Sequence, residues 1–262
     1  MVKKLHIDNW IAKAEPDYYT MFIKAWIPFN AWYFTTYSTK RDSDALEKIY
    51  TTSNKIKNRI IAMLKKNDFE SMVFKKHIAT LHTELVNRTV LNYEKPVSFS
   101  EIILTGYFPN AATDTKDNII YKAIPHKTNG YRAVVVAADG SKTYMDKAFS
   151  PYSINDFELN NHYLALNKKS QKIIKRIFLE IDPNKPKDLI AKKGNKSSSI
   201  IMDKEKKIYF INEPDLIANA LINILYTLRC LLIHGELDPT DINIEIYKRA
   251  YYIINPIIQE IK

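Results

Sequence analysis

The sequence predicts a mainly α fold: a helical bundle formed by the N- and C-terminal helices, with an α+β insertion containing β-hairpins between them. Three observations predict it. Apolar residues recur at helical spacing through the first third of the chain and again after residue 212. Two start signals with Pro in the first turn, Glu15-Pro16-Asp17 and Glu213-Pro214-Asp215, open these helical regions. Between them the pattern changes at Lys95-Pro96 and stays mixed to Ile211. The expected divisions are 1–94, 95–211 and 212–262.

After Asp17, Phe22, Trp26, Phe29 and Tyr33 recur at spacings of four, three and four, and Pro28 inside the run predicts a kink. A second helix is expected from about Ser43-Asp44, burying Leu46, Ile49, Ile56, Ile60 and Leu64. A third runs from Asp68 to Asn92, with Phe69, Met72, Val73, Leu81, Leu85 and Val86 as its stripe. Tyr131 to Ala138 reads as a strand, Asp139-Gly140 as a hairpin turn, and Lys142 to Lys147 as the return. Helical patterning resumes from Ile154 to Ile181, and Asp182 to Ser199 reads as an exposed loop. A second hairpin spans Ser199 to Ile211, turning at Asp203 to Lys206. Asn212 is the expected cap of a helix from Leu216 to His234, and Ile244 to Ile261 forms the last helix.

The chain of 262 residues is 46% hydrophobic and 26% charged, enough to build a sizeable core and too apolar to be disordered. Its one cysteine, Cys230, excludes an intrachain disulfide. No signal peptide is read at Met1 to Asp8, and no apolar run is read as long enough to cross a bilayer. A cytoplasmic setting with no membrane partner is the expectation. The net charge of +10 permits RNA as a partner without requiring it. Of the 39 basic residues 32 are Lys and seven Arg, a skew that nucleotide composition alone would produce.

On a helical wheel, Ile217, Leu221, Ile224, Leu228, Leu231 and Leu232 form a wide apolar face, opposite Asn219, Asn223, Tyr226 and Cys230. Arg229 and His234 fall on the shoulders of the polar face, and Gly235 follows as a stop residue. His234 is expected in the last turn, where the negative end of the dipole favours an imidazolium, and Glu236 adds to this. A histidine near its switching point suits proton transfer. Arg229 offers a permanent planar fork for phosphate. Together they suit attack of an RNA 2′-hydroxyl on the adjacent phosphate, which needs charge stabilisation and proton transfers but no metal. The competing account is an ordinary arginine paired with a nearby acid, beside a histidine that merely ends a helix.

The segment Tyr226-Thr227-Leu228-Arg229-Cys230-Leu231-Leu232-Ile233-His234-Gly235-Glu236 resembles the signature of the HEPN superfamily, marked by Arg, four to six residues, then His on a late helix. The run Phe22 to Tyr33, with its Phe29-Asn30 pair, is similar to the first-helix pattern of bacterial members. Leu237-Asp238-Pro239-Thr240-Asp241 leading into a Tyr-rich helix also resembles them, and the likeness covers roughly a third of the chain. Cys230 departs from the polar residue that often follows the Arg. The resemblance implies a helical bundle that dimerises, with two Arg–His pairs facing each other in a basic cleft. It implies either a metal-independent ribonuclease of toxin–antitoxin, abortive-infection or antiviral systems, or a non-catalytic module that binds RNA or protein. Arg229 and His234 are then the catalytic pair, with Asn30, Tyr226 and Glu236 in support. No cofactor or metal is expected; the partners are RNA, a second copy of the chain, and an antitoxin or regulatory protein.

Other residues invite weaker readings. Asp203, Glu205 and Lys207 look like a metal-nuclease element, but lie where a turn is expected. His77 and His82 are five apart, not the four of a helical metal pair. The Lys-rich run from Lys185 to Lys207 reads as a solvated loop that could reach along an RNA backbone.

Overall fold

The computed structural model describes residues 16–104, 109–126, 130–195, 197–240 and 242–262. Glu15, Asp241 and the Met1 to Asp8 stretch lie outside them. The chain is mainly helical with three small sheets among the described residues. It divides into two compact units: residues 1–102 with 187–262, and residues 103–186. The insertion is therefore narrower than the 95–211 expected, and the hairpin at 199–211 belongs to the helical unit.

The helical unit starts at α1 (Tyr18–Tyr37), where the Asp17 side chain accepts from the Tyr19 and Thr20 amides. The helix continues through Pro28 without interruption. Phe22, Trp26, Phe29 and Tyr33 are all buried, so the aromatic stripe lies in the core. Burial of each such ring is worth roughly 1.5–3 kcal/mol. The single helix expected from Ser43 is two, α2 (Asp42–Thr51) and α3 (Lys55–Lys65). Asn54 makes the break: its carbonyl caps the Lys57 amide while its amide donates to the Ile49 and Thr52 carbonyls.

In α4 (Phe69–Arg88), capped by Asp68, the buried face is Ser71, Phe74, Lys75, Ile78, Ala79, Leu81 and Leu85. Phe69, Met72, Val73 and Val86, expected in the core, are exposed. The helix ends at Thr89 in the left-handed region, and residues to Asn92 instead enter a short hairpin of β1 (Leu91–Asn92) and β2 (Lys95–Pro96). After the insertion, β7 (Ser199–Asp203) and β8 (Ile208–Ile211) form the expected second hairpin, with β7 packed on α4.

α8 (Pro214–Ile233) has Pro214 at its start and Asp215 in its first turn, as expected, but Asn212 does not cap it. The Asn212 amide donates to the Ser197 carbonyl instead. By length and composition α8 could span a bilayer, which corrects the sequence reading that no run approaches that length. Most of it is buried in the helical unit, as befits a core helix. It packs on α3, and α9 (Ile244–Ile258) packs on α1 and α4. The Tyr247 hydroxyl on α9 donates to the buried Leu228 carbonyl at 3.0 Å, tying the last two helices together. A 3₁₀ turn, Gln259–Ile261, completes the segment expected as one helix.

The second unit is a four-stranded antiparallel meander, β3 (Ala112–Lys116), β4 (Ile119–His126), β5 (Gly130–Ala137) and β6 (Thr143–Phe149), in sequence order. The β5–β6 hairpin at Asp139-Gly140 is the one expected; the β3–β4 pair is new. It turns at Asp117-Asn118, both at positive φ as a two-residue hairpin turn requires. The helical stretch beyond consists of α5 (Ile154–Glu158), α6 (Asn161–Leu164) and α7 (Lys168–Glu180). α7 lays Ile174, Ile177 and Phe178 on the sheet, against Tyr121, Val135 and Phe149.

Candidate active site

α8 ends in a geometry its sequence dictates. Gly235 has φ +66°, its amide donates to the Leu232 carbonyl, and the Glu236 amide donates to the Leu231 carbonyl at 2.9 Å. This paired closure satisfies the last helical carbonyls and favours glycine at the left-handed position. It leaves His234 as the final cap, exposed, with its own amide bonded to the Cys230 carbonyl.

One helical turn earlier, Arg229 points toward α1 and the start of α2. Its Nη1 lies 3.6 Å from Asp42 Oδ2 and 3.8 Å from Cys230 Sγ. The side chains of Arg229 and Asp42 are 22% and 21% exposed, so the pair sits just below the surface. Asp42 is held from its other side: Tyr33 donates to its Oδ1 at 2.6 Å, and the Asn30 amide reaches Oδ1 at 3.4 Å and the Tyr33 hydroxyl as well. Residues 30 and 33 share a face of α1 at helical spacing, and residue 42 opens α2. The local sequence thus assembles a chain running Asn30, Tyr33, Asp42, Arg229.

The electrostatics follow. Burial, then the hydrogen bond to Asp42 and its charge, push the Tyr33 hydroxyl well above its ordinary pKa, so it stays a donor. Burial also raises Tyr226, whose hydroxyl contacts Cys230, and the charge of Asp42 adds to this. Burial opposes the Arg229 charge, but the contacts with Cys230 and Asp42 outweigh it, and the guanidinium holds its proton more firmly than usual. Arg229 Nε and Trp26 Nε1 are buried without a hydrogen-bond partner among the described residues. The Trp26 and Tyr226 rings lie 6.2 Å apart, which puts the tryptophan beside the same cluster.

The structure therefore brings together Arg229, Asn30 and Tyr226 of the five residues the sequence singles out. His234 and Glu236 are exposed beyond the helix end, and no hydrogen bond or ion pair joins their side chains to this cluster among the described residues. Asp42 is the residue sequence reading missed. Its only sequence signal is an acid near the start of a helix, which by itself reads as helix-dipole compensation rather than as part of a site. Tyr33, part of the aromatic stripe, is core by its ring and part of the site by its hydroxyl.

His77 and His82 are built into packing. His77 stacks on Tyr252 at 4.9 Å with Arg249 3.5 Å from its Nδ1, and the His82 ring packs edge-on against Phe99 and Phe210. Asp203 folds its own turn, accepting from the Glu205 and Lys206 amides. Among the described residues no three His, Cys, Asp or Glu side chains group as a metal site would. No protein family, curated protein or solved structure matches the chain.

Proposed function

We propose that the protein is a HEPN-like endoribonuclease that cuts RNA without a metal and works as a homodimer, as a toxin or an antiviral or abortive-infection effector. The observation that carries this reading is the anchoring of Arg229. The Asn30–Tyr33–Asp42 chain fixes a permanent positive charge in a partly desolvated setting. Asp42 engages it only loosely, at 3.6 Å, and its Nη2 makes no hydrogen bond among the described residues. A fixed cation with donors to spare can stabilise charge that develops on a phosphate.

In the reaction, the 2′-oxygen forms a bond to the adjacent phosphorus and the bond to the 5′-oxygen breaks. The proton leaves the 2′-hydroxyl and a proton reaches the 5′-oxygen. His234 moves these protons, and Arg229 stabilises the phosphorane. In the dimer the shared cleft would hold both Arg–His pairs, one from each copy, which supplies the acid and the base together. Asn30 supports Arg229 through Asp42, and Tyr226 supports it through Cys230. RNA fragments ending in 2′,3′-cyclic phosphate and 5′-hydroxyl, made in a chelator, are the expected products. Ends bearing 3′-hydroxyl and 5′-phosphate would reject the mechanism.

The Arg229–Asp42 contact also favours a second reading, since a paired arginine is what a non-catalytic binding module would carry. That module would retain RNA or a regulatory protein without turning RNA over.

A further inference from the structure

Strand β7 is an edge. It pairs only with β8, and no hydrogen bond other than those of this pair reaches the backbone of Ile200, Ile201 or Met202 among the described residues. Two cavities of about 410 Å³ each lie along it. One is lined by Ser199, Ile200 and Ile201, the other by Ile201, Met202 and Asp203. The two cavities meet at Ile201 and together run the length of β7, whose register on β8 shifts between Ile201 and Asp203; Asn212, just past β8, also lines the first. The far wall comes from the α3–α4 junction and α4: Leu64 and Lys65, then Met72 and Lys76, with Asn67 and Lys75 shared by both cavities.

We infer that this groove takes an extended segment of a partner protein, rich in acidic and apolar side chains, as an added strand on β7. Open strand edges offer alternating donors and acceptors, which another backbone satisfies. RNA phosphates, with acceptors only, would use half of that edge and none of the apolar wall of Met72 and Ile201. The charge selects an acidic segment. Lys65, Lys75, Lys76 and Lys204 line the groove against Asp203 and Glu205. Lys75 is 4% exposed, with its ammonium on the Lys66 carbonyl and Asn67 Oδ1, so its charge is fixed in the floor. A second copy of the chain would bring the same cationic rim and is disfavoured. Asp203 Oδ2, buried and without a partner among the described residues, marks one end where an incoming N–H would be accepted.

The probe is a dye-labelled peptide alternating valine and glutamate, five residues long to match β7, followed by fluorescence anisotropy and by the amide spectrum of the full chain. Binding should shift the Ile200 to Met202 amides. Of two N-methylated versions, one methylated on the valines and one on the glutamates, one should bind at least about tenfold more weakly, because alternate N–H groups face the neighbouring strand. Lys76→Glu, a surface change, should weaken binding at least about threefold, and a valine–lysine peptide should not bind. The inference is overturned if the parent peptide fails to bind at roughly 1 mM. It is also overturned if both N-methylated peptides bind like the parent. Oligouridylate shifting the same amides where the peptide does not would make the groove an RNA surface. Dilution alone shifting them would make it a self-association edge.

Discussion

The two units handle polar groups in opposite ways. In the unit of residues 103–186, the ion pairs lie at the rim: Arg132–Asp146 is 44% and 38% exposed, and Arg176–Asp114 57% and 37%. Its core is apolar and aromatic, with Phe157 stacked on Phe178 at 4.3 Å. The helical unit puts charge inside. Arg229 and Asp42 are both near 20% exposed, and Lys57, only 10% exposed, bridges the Tyr50 carbonyl and Asp215. Buried polar atoms without a partner among the described residues include Trp26 Nε1, Asn219 Oδ1 and Arg229 Nε on α1 and α8, but also Arg59 Nε, His82 Nδ1 and Asp203 Oδ2 elsewhere in the helical unit and Glu158 Oε1 in the other. Each such group costs about 1–3 kcal/mol. Folds tolerate that cost where function needs it. The contrast that remains is in the ion pairs: the Arg229–Asp42 pair of the candidate site is mostly shielded, whereas Arg132–Asp146 and Arg176–Asp114 stay at the surface.

Substitutions can break or sharpen this contrast. The largest effect is expected from Phe178→Ala, which removes a ring stacked in the core of the meander and should cost about 3–5 kcal/mol. RNA cleavage at temperatures below its melting should persist. Loss of cleavage with the helical unit's amide spectrum intact would show that the meander takes part in the reaction. Asp42→Ala comes next. It strands the Arg229 charge below the surface and should cost about 1–3 kcal/mol in urea unfolding. It should also slow cleavage, because Arg229 loses its anchor.

A smaller effect is expected at His77. Burial first, then the charges of Arg249 and Lys248, depress its pKa from the ordinary 6.5 to about 4. Between those values the unfolded chain binds the proton and the folded one does not, so stability falls as pH drops from 6.5 toward 4. Thermal melts across that range should show it, and His77→Asn should flatten part of the slope. The smallest effect belongs to Asp146→Ala, which removes an exposed pair and should cost less than about 1 kcal/mol. If it cost as much as Asp42→Ala, the contrast between the units would fail.

What the sequence made legible follows the same physics. Period and punctuation read well wherever one local rule decides: the aromatic stripe of α1, the Gly235 stop, the Asp139-Gly140 turn. They failed where a neighbour decides. α4 carries apolar residues on two stripes, and only packing against β7 and α9 chooses Phe74 and Ile78 over Phe69 and Met72. The split at Asn54 needed its hydrogen bonds to the Ile49 and Thr52 carbonyls, which no periodicity reveals. At the site, Arg229 and Asn30 were legible as residue types on two helices. Asp42 was not, because its role exists only once α1 and α2 fold beside α8. His234 and Glu236 lie exposed beyond the end of α8, and no hydrogen bond or ion pair joins their side chains to the Arg229 cluster among the described residues.

The most direct test is cleavage of total RNA by the purified full chain in excess chelator, beside Arg229→Ala, His234→Ala and the double variant, with melting curves confirming that each is folded. The account predicts cutting by the wild type and loss in all three. Equal cutting by the folded double variant would contradict it.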